Sequence, residues 1–249
     1  MCLFGRLLGR RQSQWDEAWQ AFPGFVGDEP ALWSVDLGAV FAAPVSRLPV
    51  RMDVEVPFAP DPDGLPTDGA QLAEVEDAVR ASAASLGGVY LGRVASGGVC
   101  RFTAHLPNEP ATPVTVAGVP EAHARTEYDP HWAYVRDTLA PDERQHRTLE
   151  DLAVVGVLSA DGDPLATPRA VEHVAYFAEQ AGAENAAADL RRDGFAASVE
   201  RDDEGGFALT ALRSDPVAPP AVHELTWAVK EIVERHGGSY DGWNTAVAA

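Results

Sequence analysis

Cysteine is almost absent from this chain, which has only Cys2 and Cys100 among its 249 residues. Two cysteines so distant in sequence do not suggest the disulfide framework of a small secreted domain or the paired thiolates of a structural zinc site. Such scarcity is typical of proteins that stay in a reducing compartment. The cysteine content therefore fits a reducing interior.

Long apolar runs are lacking as well. No stretch approaches the roughly 18 consecutive apolar residues of a membrane-spanning helix, so the sequence predicts no membrane span. The chain does begin with a basic and apolar stretch, MCLFGRLLGRRQ, but no small-residue cleavage site follows it. We interpret this stretch as a frayed or docked segment, and contact with a membrane surface is the alternative.

The motifs that usually organise catalysis are missing. The sequence has no GxSxG, no GxxxxGK[ST] and no GxGxxG. The seven histidines show no HxH or HxxxH spacing, and none lies beside a cysteine: His105, His123, His131, His146, His173, His223 and His236. His123 and His131 come closest, with Asp129 between them, and we interpret them as loop and helix-start residues. The sequence predicts no catalytic residue, no metal site and no cofactor.

Basic residues are scarce relative to acidic ones. The chain has 38 Asp and Glu against 19 Lys and Arg, a formal net charge of −19, and Lys230 is its only lysine. Residues 1–140 carry 18 acids and 10 bases, and residues 141–249 carry 20 and 9, so both halves are acidic. A field of this sign repels phosphate backbones and argues against direct binding of nucleic acid. The charge either maintains solubility or forms an acidic face for a basic protein partner.

Residues 27–140 show a mixed pattern of strands and helices. Apolar and polar residues alternate in VRMDVEV, which predicts a half-buried strand within an extended segment from Ala31 to Val56. The other predicted elements are, in chain order, a helix over 71–86 that ends at Gly87 and Gly88, a hairpin around 96–98, a short strand in VTVAGV, a polar strand in ARTEY and a helix from near Pro130. Together these patterns predict an α+β sandwich domain.

PDERQH at 141–146 is the best candidate for a domain boundary, because Pro141 and Asp142 are typical of a helix start. The apolar face predicted for this helix consists of Leu149, Leu152, Val155, Val157 and Leu158. The sequence then runs in the order strand, helix, two hairpin strands, helix and a final strand from Ser239. That order predicts a ferredoxin-like βαββαβ sandwich for residues 141–249, and hence an α+β protein of two domains.

The stretch GGSYDGWNTAV near the C-terminus is unusual, because such tails are commonly small and polar. Gly242 permits a positive φ, and Asp241 can accept hydrogen bonds from neighbouring backbone amides. Tyr240 and Trp243 therefore either lock the final strand onto the domain or form an exposed patch for a partner. Trp227 poses a similar choice between packing and anchoring a partner, since it lies outside the apolar arc of the last predicted helix.

Three stretches of the second half resemble the RraB family, whose members are described as regulators that inhibit ribonuclease E. They are VEHVAYFAEQAGAENAAADLRRDGF at 171–195, the hairpin that follows it, and GGSYDGWNTAV. The first half is similar to a family of unknown function often found beside RraB-like domains, through DGLPTDGAQLAEVEDAVR and VYLGRVASGGVCRFTAHLP. The resemblance implies a cytoplasmic two-domain protein that binds another protein. The first domain is an addition to the RraB pattern.

Our first functional hypothesis is a non-enzymatic regulatory or adaptor protein. Its acidic surface would bind a basic segment of a protein partner, an RNA-degrading enzyme, and inhibit that enzyme. The second hypothesis comes from a different class and is a small-ligand-binding or enzymatic domain in the first half, with a pocket around His105, Tyr90 and Arg101. The sequence leaves the oligomeric state open.

Overall fold

A computed structural model describes residues 15–116, 118–119 and 122–248 of the chain. The chain divides between Pro141 and Asp142 into two compact units, each with its own sheet. The segment MCLFGRLLGRRQ lies outside the described residues, so the expectation for it stays a prediction. Within the described ranges, no helix is both long and apolar enough to cross a membrane.

The N-terminal domain is a six-stranded antiparallel sheet with one long helix packed on one face. Its elements are β1 (Trp19–Val26), β2 (Glu29–Asp36), α1 (Leu37–Ala42), β3 (Val50–Pro57), α2 (Gly69–Ser85), β4 (Val89–Ser96), β5 (Val99–Leu106), β6 (His123–Tyr128) and a π-helical segment (Val135–Leu139). The strand predicted from VRMDVEV is confirmed as β3. Its buried residues Val50, Met52, Val54 and Val56 share a core with α2.

The strand order of this sheet is β1-β2-β4-β5-β3-β6. Four of these strands, in the spatial order β6-β3-β5-β4, have the arrangement of a ferredoxin-like sheet, with the first strand between the third and the fourth. The connection from β5 to β6 contains no helix among its described residues. Val116 and Val119 of this connection pack into the core, in the place where a second helix would lie.

Two predictions of extended structure in this domain are wrong. The stretch LWSVDLGAVFA is extended only as far as Asp36, whose side chain accepts a hydrogen bond from the backbone N–H of Gly38 at 3.0 Å and begins α1. The described residues of VTVAGV lie outside any strand, because their valines cover the core instead of pairing with a neighbour.

The two ends of the N-terminal domain also differ from the prediction. β1 lies entirely before residue 27, where the predicted domain begins. Pro23 and Gly24 interrupt the pattern by which a strand is recognised. As the edge strand of the sheet, β1 tolerates them. The helical segment expected from near Pro130 begins only after Trp132, whose φ is +54°.

The C-terminal domain is a four-stranded antiparallel sheet with three helices on one face. Its elements are α3 (Glu143–Ala160), β7 (Arg169–Phe177), α4 (Gln180–Arg192), β8 (Ala196–Arg201), β9 (Phe207–Asp215), α5 (Ala221–Arg235) and β10 (Gly238–Thr245). The strand order β10-β7-β9-β8 places the first strand of the motif between the fourth and the third. The predicted ferredoxin-like βαββαβ order is therefore confirmed, with α3 added before it.

Helix α3 begins at the predicted boundary with a capping box. Asp142 accepts a hydrogen bond from the backbone N–H of Gln145 at 2.8 Å, and the Gln145 side chain accepts one from the backbone N–H of Asp142 at 2.9 Å. The predicted apolar face of α3 is correct at Val155 and Leu158. The other three residues predicted for that face are half-buried or exposed: Leu149, Leu152 and Val157. The first half of α3 buries polar side chains instead.

Candidate functional site

The strand β10 contains a β-bulge that puts both of its aromatic residues on the same face. In a regular strand, residues 240 and 243 would point to opposite faces, because side chains alternate. The register shifts by one residue at Asp241, so that Tyr240 lies opposite Ala175 and Trp243 lies opposite His173. Gly242 has a φ of +148°, which favours glycine at this position. Both aromatic side chains therefore face the helices.

Trp243 is enclosed in the interior of the C-terminal domain. Only 7% of its surface is exposed, and it packs in an apolar cluster with Val155 of α3, Val171 of β7 and Val222 of α5. Its indole Nε1–H donates a hydrogen bond to Oδ1 of Asp151 at 2.9 Å. Trp243 thus connects the last strand to α3 by apolar contact and by a directional polar contact.

Asp151 is the centre of a buried polar network, and its exposed fraction is 0%. Besides Trp243, three donors reach its carboxylate: Nε of Arg147 at 3.2 Å, the Thr226 hydroxyl at 2.6 Å and Nδ1 of His223 at 3.1 Å. A buried carboxylate is tolerated only when its oxygens are paired in this way. The network therefore joins α3, α5 and β10 at a single side chain.

Tyr240 forms a second polar contact under the sheet. Its hydroxyl oxygen lies 2.7 Å from Nδ1 of His173, and the two groups share a hydrogen bond. The Arg147 guanidinium carbon lies 5.3 Å from the centre of the Tyr240 ring, within range of a cation–π contact. Burial raises the pKa of the Tyr240 hydroxyl. Asp241, in contrast, is exposed at the bulge.

Trp227 lies half-buried between two cations of its own domain. The Arg144 guanidinium carbon lies 5.6 Å from the centre of the Trp227 ring, and Nζ of Lys230 lies 5.5 Å from it. Arg144 of α3 donates to both carboxylate oxygens of Glu224 of α5 at 2.7 Å, and Lys230 of α5 pairs with Glu143 of α3. The ring therefore lies beside two ion pairs that connect these helices.

The outer sheet face of the C-terminal domain is the face opposite α3, α4 and α5. Strand alternation places on it Ala170, Glu172, Val174 and Tyr176 of β7, Ala208, Thr210, Leu212 and Ser214 of β9, and Ala196, Ser198 and Glu200 of β8. Tyr176 and Leu212 are 45% and 41% exposed. The charged side chains among these residues, Glu172 and Glu200, are both acidic. The arginines of the same strands have the opposite parity: Arg169, Arg201 and Arg213.

More carboxylates lie at one end of this face. Asp203 and Glu204 are exposed in the turn between β8 and β9, and neither makes an ion pair within the described part of the chain. Asp202 of the same turn has a local role, since its Oδ1 accepts backbone hydrogen bonds from Glu204 at 3.0 Å and Gly206 at 2.7 Å. The outer sheet face is thus an exposed, weakly apolar surface with an acidic border.

The predicted pocket around His105, Tyr90 and Arg101 is wrong, because the sheet separates these residues. Tyr90 pairs with Ala104 and therefore lies on the α2 face, whereas Arg101 and His105 point to the opposite face. His105 is fully buried, its Nδ1–H donates a hydrogen bond to the Leu48 carbonyl at 2.9 Å, and its ring stacks on Trp132 at 4.1 Å. A packed core fills its surroundings.

Each domain buries one histidine with an unpartnered ring nitrogen, Nε2 of His105 and Nε2 of His173. Burial is the main cause that lowers the pKa of both side chains from 6.5 to about 4. The unfolded chain binds a proton at these positions near pH 6.5, so between pH 6.5 and pH 4 it holds more protons than the folded chain. The contribution of these two histidines to the free energy of unfolding is therefore fully present above pH 6.5, and it decreases as the pH falls through this window.

We expect each domain to lose about 2 kcal/mol of stability between pH 7 and pH 5 from its histidine. Amide hydrogen exchange on the full chain measures this loss separately on β5 and β7. The variant H173N is the matched control, since it should abolish the loss in the C-terminal domain and leave it in the N-terminal one. Equal pH sensitivity of both domains in H173N would contradict the assignment.

No group of three or more His, Cys, Asp and Glu side chains within the described ranges is placed to hold a metal ion. Cys100 is fully buried, and burial raises the pKa of its thiol to about 11, so it is a poor nucleophile. The sequence reasoning missed Asp151, although it lies four residues after Arg147, an ion-pair spacing on a helix. Such pairs are usually solvent-exposed, and no local sequence pattern indicates that this one is buried.

Comparison with known families assigns a match to each domain. Residues 149–245 match the family described as regulator of ribonuclease activity B, RraB, and residues 17–140 match a family of unknown function, DUF695. The two resemblances inferred from the sequence are confirmed. Among curated proteins there is no match. The RraB match includes Asp151, the outer sheet face and the aromatic residues of β10.

Proposed function

We propose that this protein, with its RraB-like domain, is a non-enzymatic regulatory or adaptor protein of the cytoplasm. It binds a basic segment of an RNA-degrading enzyme and inhibits that enzyme. The family match supports a role in regulating ribonuclease activity and a protein partner. Binding of a basic segment is supported by the outer sheet face. The charged side chains assigned to that face, Glu172 and Glu200, are both acidic.

The aromatic residues of β10 act as a structural lock in this proposal. Trp243 is buried and cannot contact a partner unless the domain opens. Tyr240 is half-buried, and its hydroxyl is already hydrogen-bonded to His173. Trp227 has the same structural role, because two cations of its own domain already lie beside its ring. Partner contacts therefore fall to other residues.

Binding would proceed in two physical stages. The net negative charge attracts a basic segment over distances comparable to the Debye length, about 8 Å at physiological salt. Exposed Tyr176 and Leu212 then provide apolar contact area on the two central strands of the outer sheet face, with Glu172 and Glu200 as charged neighbours. An aromatic ring inside a polar border is a common arrangement at protein interfaces.

The direct test is capture of the partner from extract of the source cells with the full chain as bait. At about 50 mM salt we expect an RNA-degrading enzyme among the captured proteins, and at about 500 mM salt we expect it to be lost. The captured enzyme should then cleave RNA more slowly when more of the full chain is added. Capture that is unchanged by salt, or cleavage that is unaffected, would argue against the proposal.

The double variant E172Q/E200Q tests the outer sheet face itself. We expect an association rate constant for the captured enzyme about tenfold lower at low salt, because long-range attraction to this face is reduced. The control E184Q/E231Q removes the same charge from exposed positions on α4 and α5 and should change the rate less than about twofold. Surface plasmon resonance measures both. Equal effects of the two double variants on the association rate constant would contradict the assignment of partner binding to the outer sheet face.

A further inference from the structure

The N-terminal domain has a small polar depression on the face of its sheet opposite α2. The depression has a volume of about 240 Å³ and is lined by Arg51, Asp53, Glu55, Arg101, His123, Arg125, Thr126 and Glu127. These residues come from β5, β3 and β6, which are neighbours in the sheet. Every lining side chain is polar, so the depression is suited to a charged group and not to an apolar ligand.

The floor of the depression is held rigid by ion pairs. Nε of Arg51 donates to Oδ2 of Asp53 at 2.8 Å, and the Thr103 hydroxyl donates to Oδ1 of the same carboxylate at 3.0 Å. Nε of Arg101 donates to Oε1 of Glu55 at 2.9 Å. The guanidinium carbons of Arg51 and Arg101 lie 4.7 Å and 5.7 Å from the centre of the Tyr134 ring. Two guanidinium groups are thereby fixed before any ligand arrives.

Arg125 is the exposed cation of the depression. It lies opposite Asp53 in the register of β3 and β6, but both oxygens of Asp53 already accept bonds from Arg51 and Thr103. Arg125 makes no ion pair or side-chain hydrogen bond with the described residues, and its side chain is exposed. A guanidinium with all its donors available is the group that binds carboxylate or phosphate in a bidentate manner.

Glu127 shows how an oxyanion binds in this depression. Its carboxylate accepts a hydrogen bond from Nη2 of Arg51 at 2.6 Å, while 66% of the Glu127 side chain is exposed to solvent. An exposed ion pair of this kind contributes little free energy and exchanges easily with solvent. When Glu127 leaves, Arg51 and Arg125 both present free donors at the same depression, next to Thr126.

We infer that this depression binds the oxyanion of a small molecule, a carboxylate or phosphate group, through Arg125 and Arg51, and that Glu127 occupies the site as an internal competitor. Arg101 and Tyr134 hold the floor in place. The inference concerns the domain that the ribonuclease hypothesis leaves without a role, and it does not depend on that hypothesis. It also replaces the pocket that the sequence predicted around His105, Tyr90 and Arg101.

The test is an NMR titration of the full chain with inorganic phosphate and, in a second arm, with succinate, at constant ionic strength and about pH 7.5. The side-chain Nε–H signals of arginine report binding. We expect a saturable shift at Arg125 and no saturable shift at Arg136, an exposed arginine of the same domain. The arm with the lower dissociation constant identifies phosphate or carboxylate as the preferred group.

Three variants make the result decisive. R125A should raise the dissociation constant at least about tenfold, and R125K should raise it less, because the charge remains but the bidentate geometry is lost. E127Q should lower it about threefold or more, since the internal competitor is removed. E74Q is the matched control, because it removes one exposed negative charge of the same domain outside the depression.

Two kinds of result would overturn the inference. A shift that stays linear with ligand concentration, or that is the same in R125A as in the native chain, means only weak screening of surface charge. An E127Q variant that binds no better than E74Q means that Glu127 does not compete for the site. Unchanged amide hydrogen exchange of β3 in each variant ensures that differences in binding do not reflect unfolding.

Discussion

Replacing Asp151 by alanine is expected to destabilise the C-terminal domain by about 4 kcal/mol. The substitution removes the acceptor for four donors, from Arg147, Thr226, His223 and Trp243. The buried Arg147 cation then keeps only its ion pair with the exposed Glu150 carboxylate. A buried group that loses its partner retains its full desolvation penalty, which is why the cost exceeds that of an ordinary hydrogen bond. Few surface substitutions reach this magnitude.

Amide hydrogen exchange of β7 and β9 in the full chain measures this loss, and β3 and β5 serve as the internal reference. D151N is the graded control, because asparagine keeps one acceptor oxygen but has no charge, so we expect a smaller loss than with alanine. The opposite result, with β7 protected as strongly in D151A as in the native chain, would mean that the network contributes no net stability.

Replacing Trp243 by alanine is expected to cost about 4 kcal/mol, mainly because a large buried ring is removed from a packed cluster. W243F keeps most of the apolar area and loses the indole donor to Asp151, so its cost should be about 1 to 2 kcal/mol. The same exchange measurement on β7 and β9 separates the two contributions. A loss of equal size in both variants would mean that the hydrogen bond outweighs the apolar burial.

W243A also decides between the two roles considered for the C-terminal aromatic residues. If they lock the strand, the variant loses protection across β10 and β7, and any loss of partner binding follows from unfolding. If Trp243 anchors a partner, binding is lost while protection stays native. The double variant D151N/W243F completes a thermodynamic cycle, in which a shared interaction appears as a cost smaller than the sum of the single costs.

Much of the fold was predictable, because it follows from local periodicity and turn residues. The alternation in VRMDVEV predicts β3, the glycines after the α2 sequence predict its end, and the order of elements after residue 169 predicts the ferredoxin-like sheet. The local errors have local causes. Asp36 begins a helix within a stretch that is apolar enough for a strand. Pro23 interrupts the sequence pattern of the edge strand β1, so that strand was not predicted.

The candidate sites were less predictable, because they depend on strand parity. Tyr90 and His105 belong to adjacent strands, but the pairing of Tyr90 with Ala104 puts them on opposite faces. The bulge at Asp241 reverses the parity of β10 and brings Trp243 to the side of Tyr240. One residue of register moves a whole set of side chains to the other face, and the sequence pattern does not specify that residue.

The sequence by itself determined the class of each domain, the order of its elements, the acidic charge and the two family resemblances, since all of these are properties of contiguous stretches. Only the tertiary structure decided that Asp151 meets Trp243, ninety-two residues later in the chain, and that Arg51, Arg125 and Glu127 surround one depression. These contacts join elements distant in sequence, and their formation depends on register and packing, which no local pattern contains.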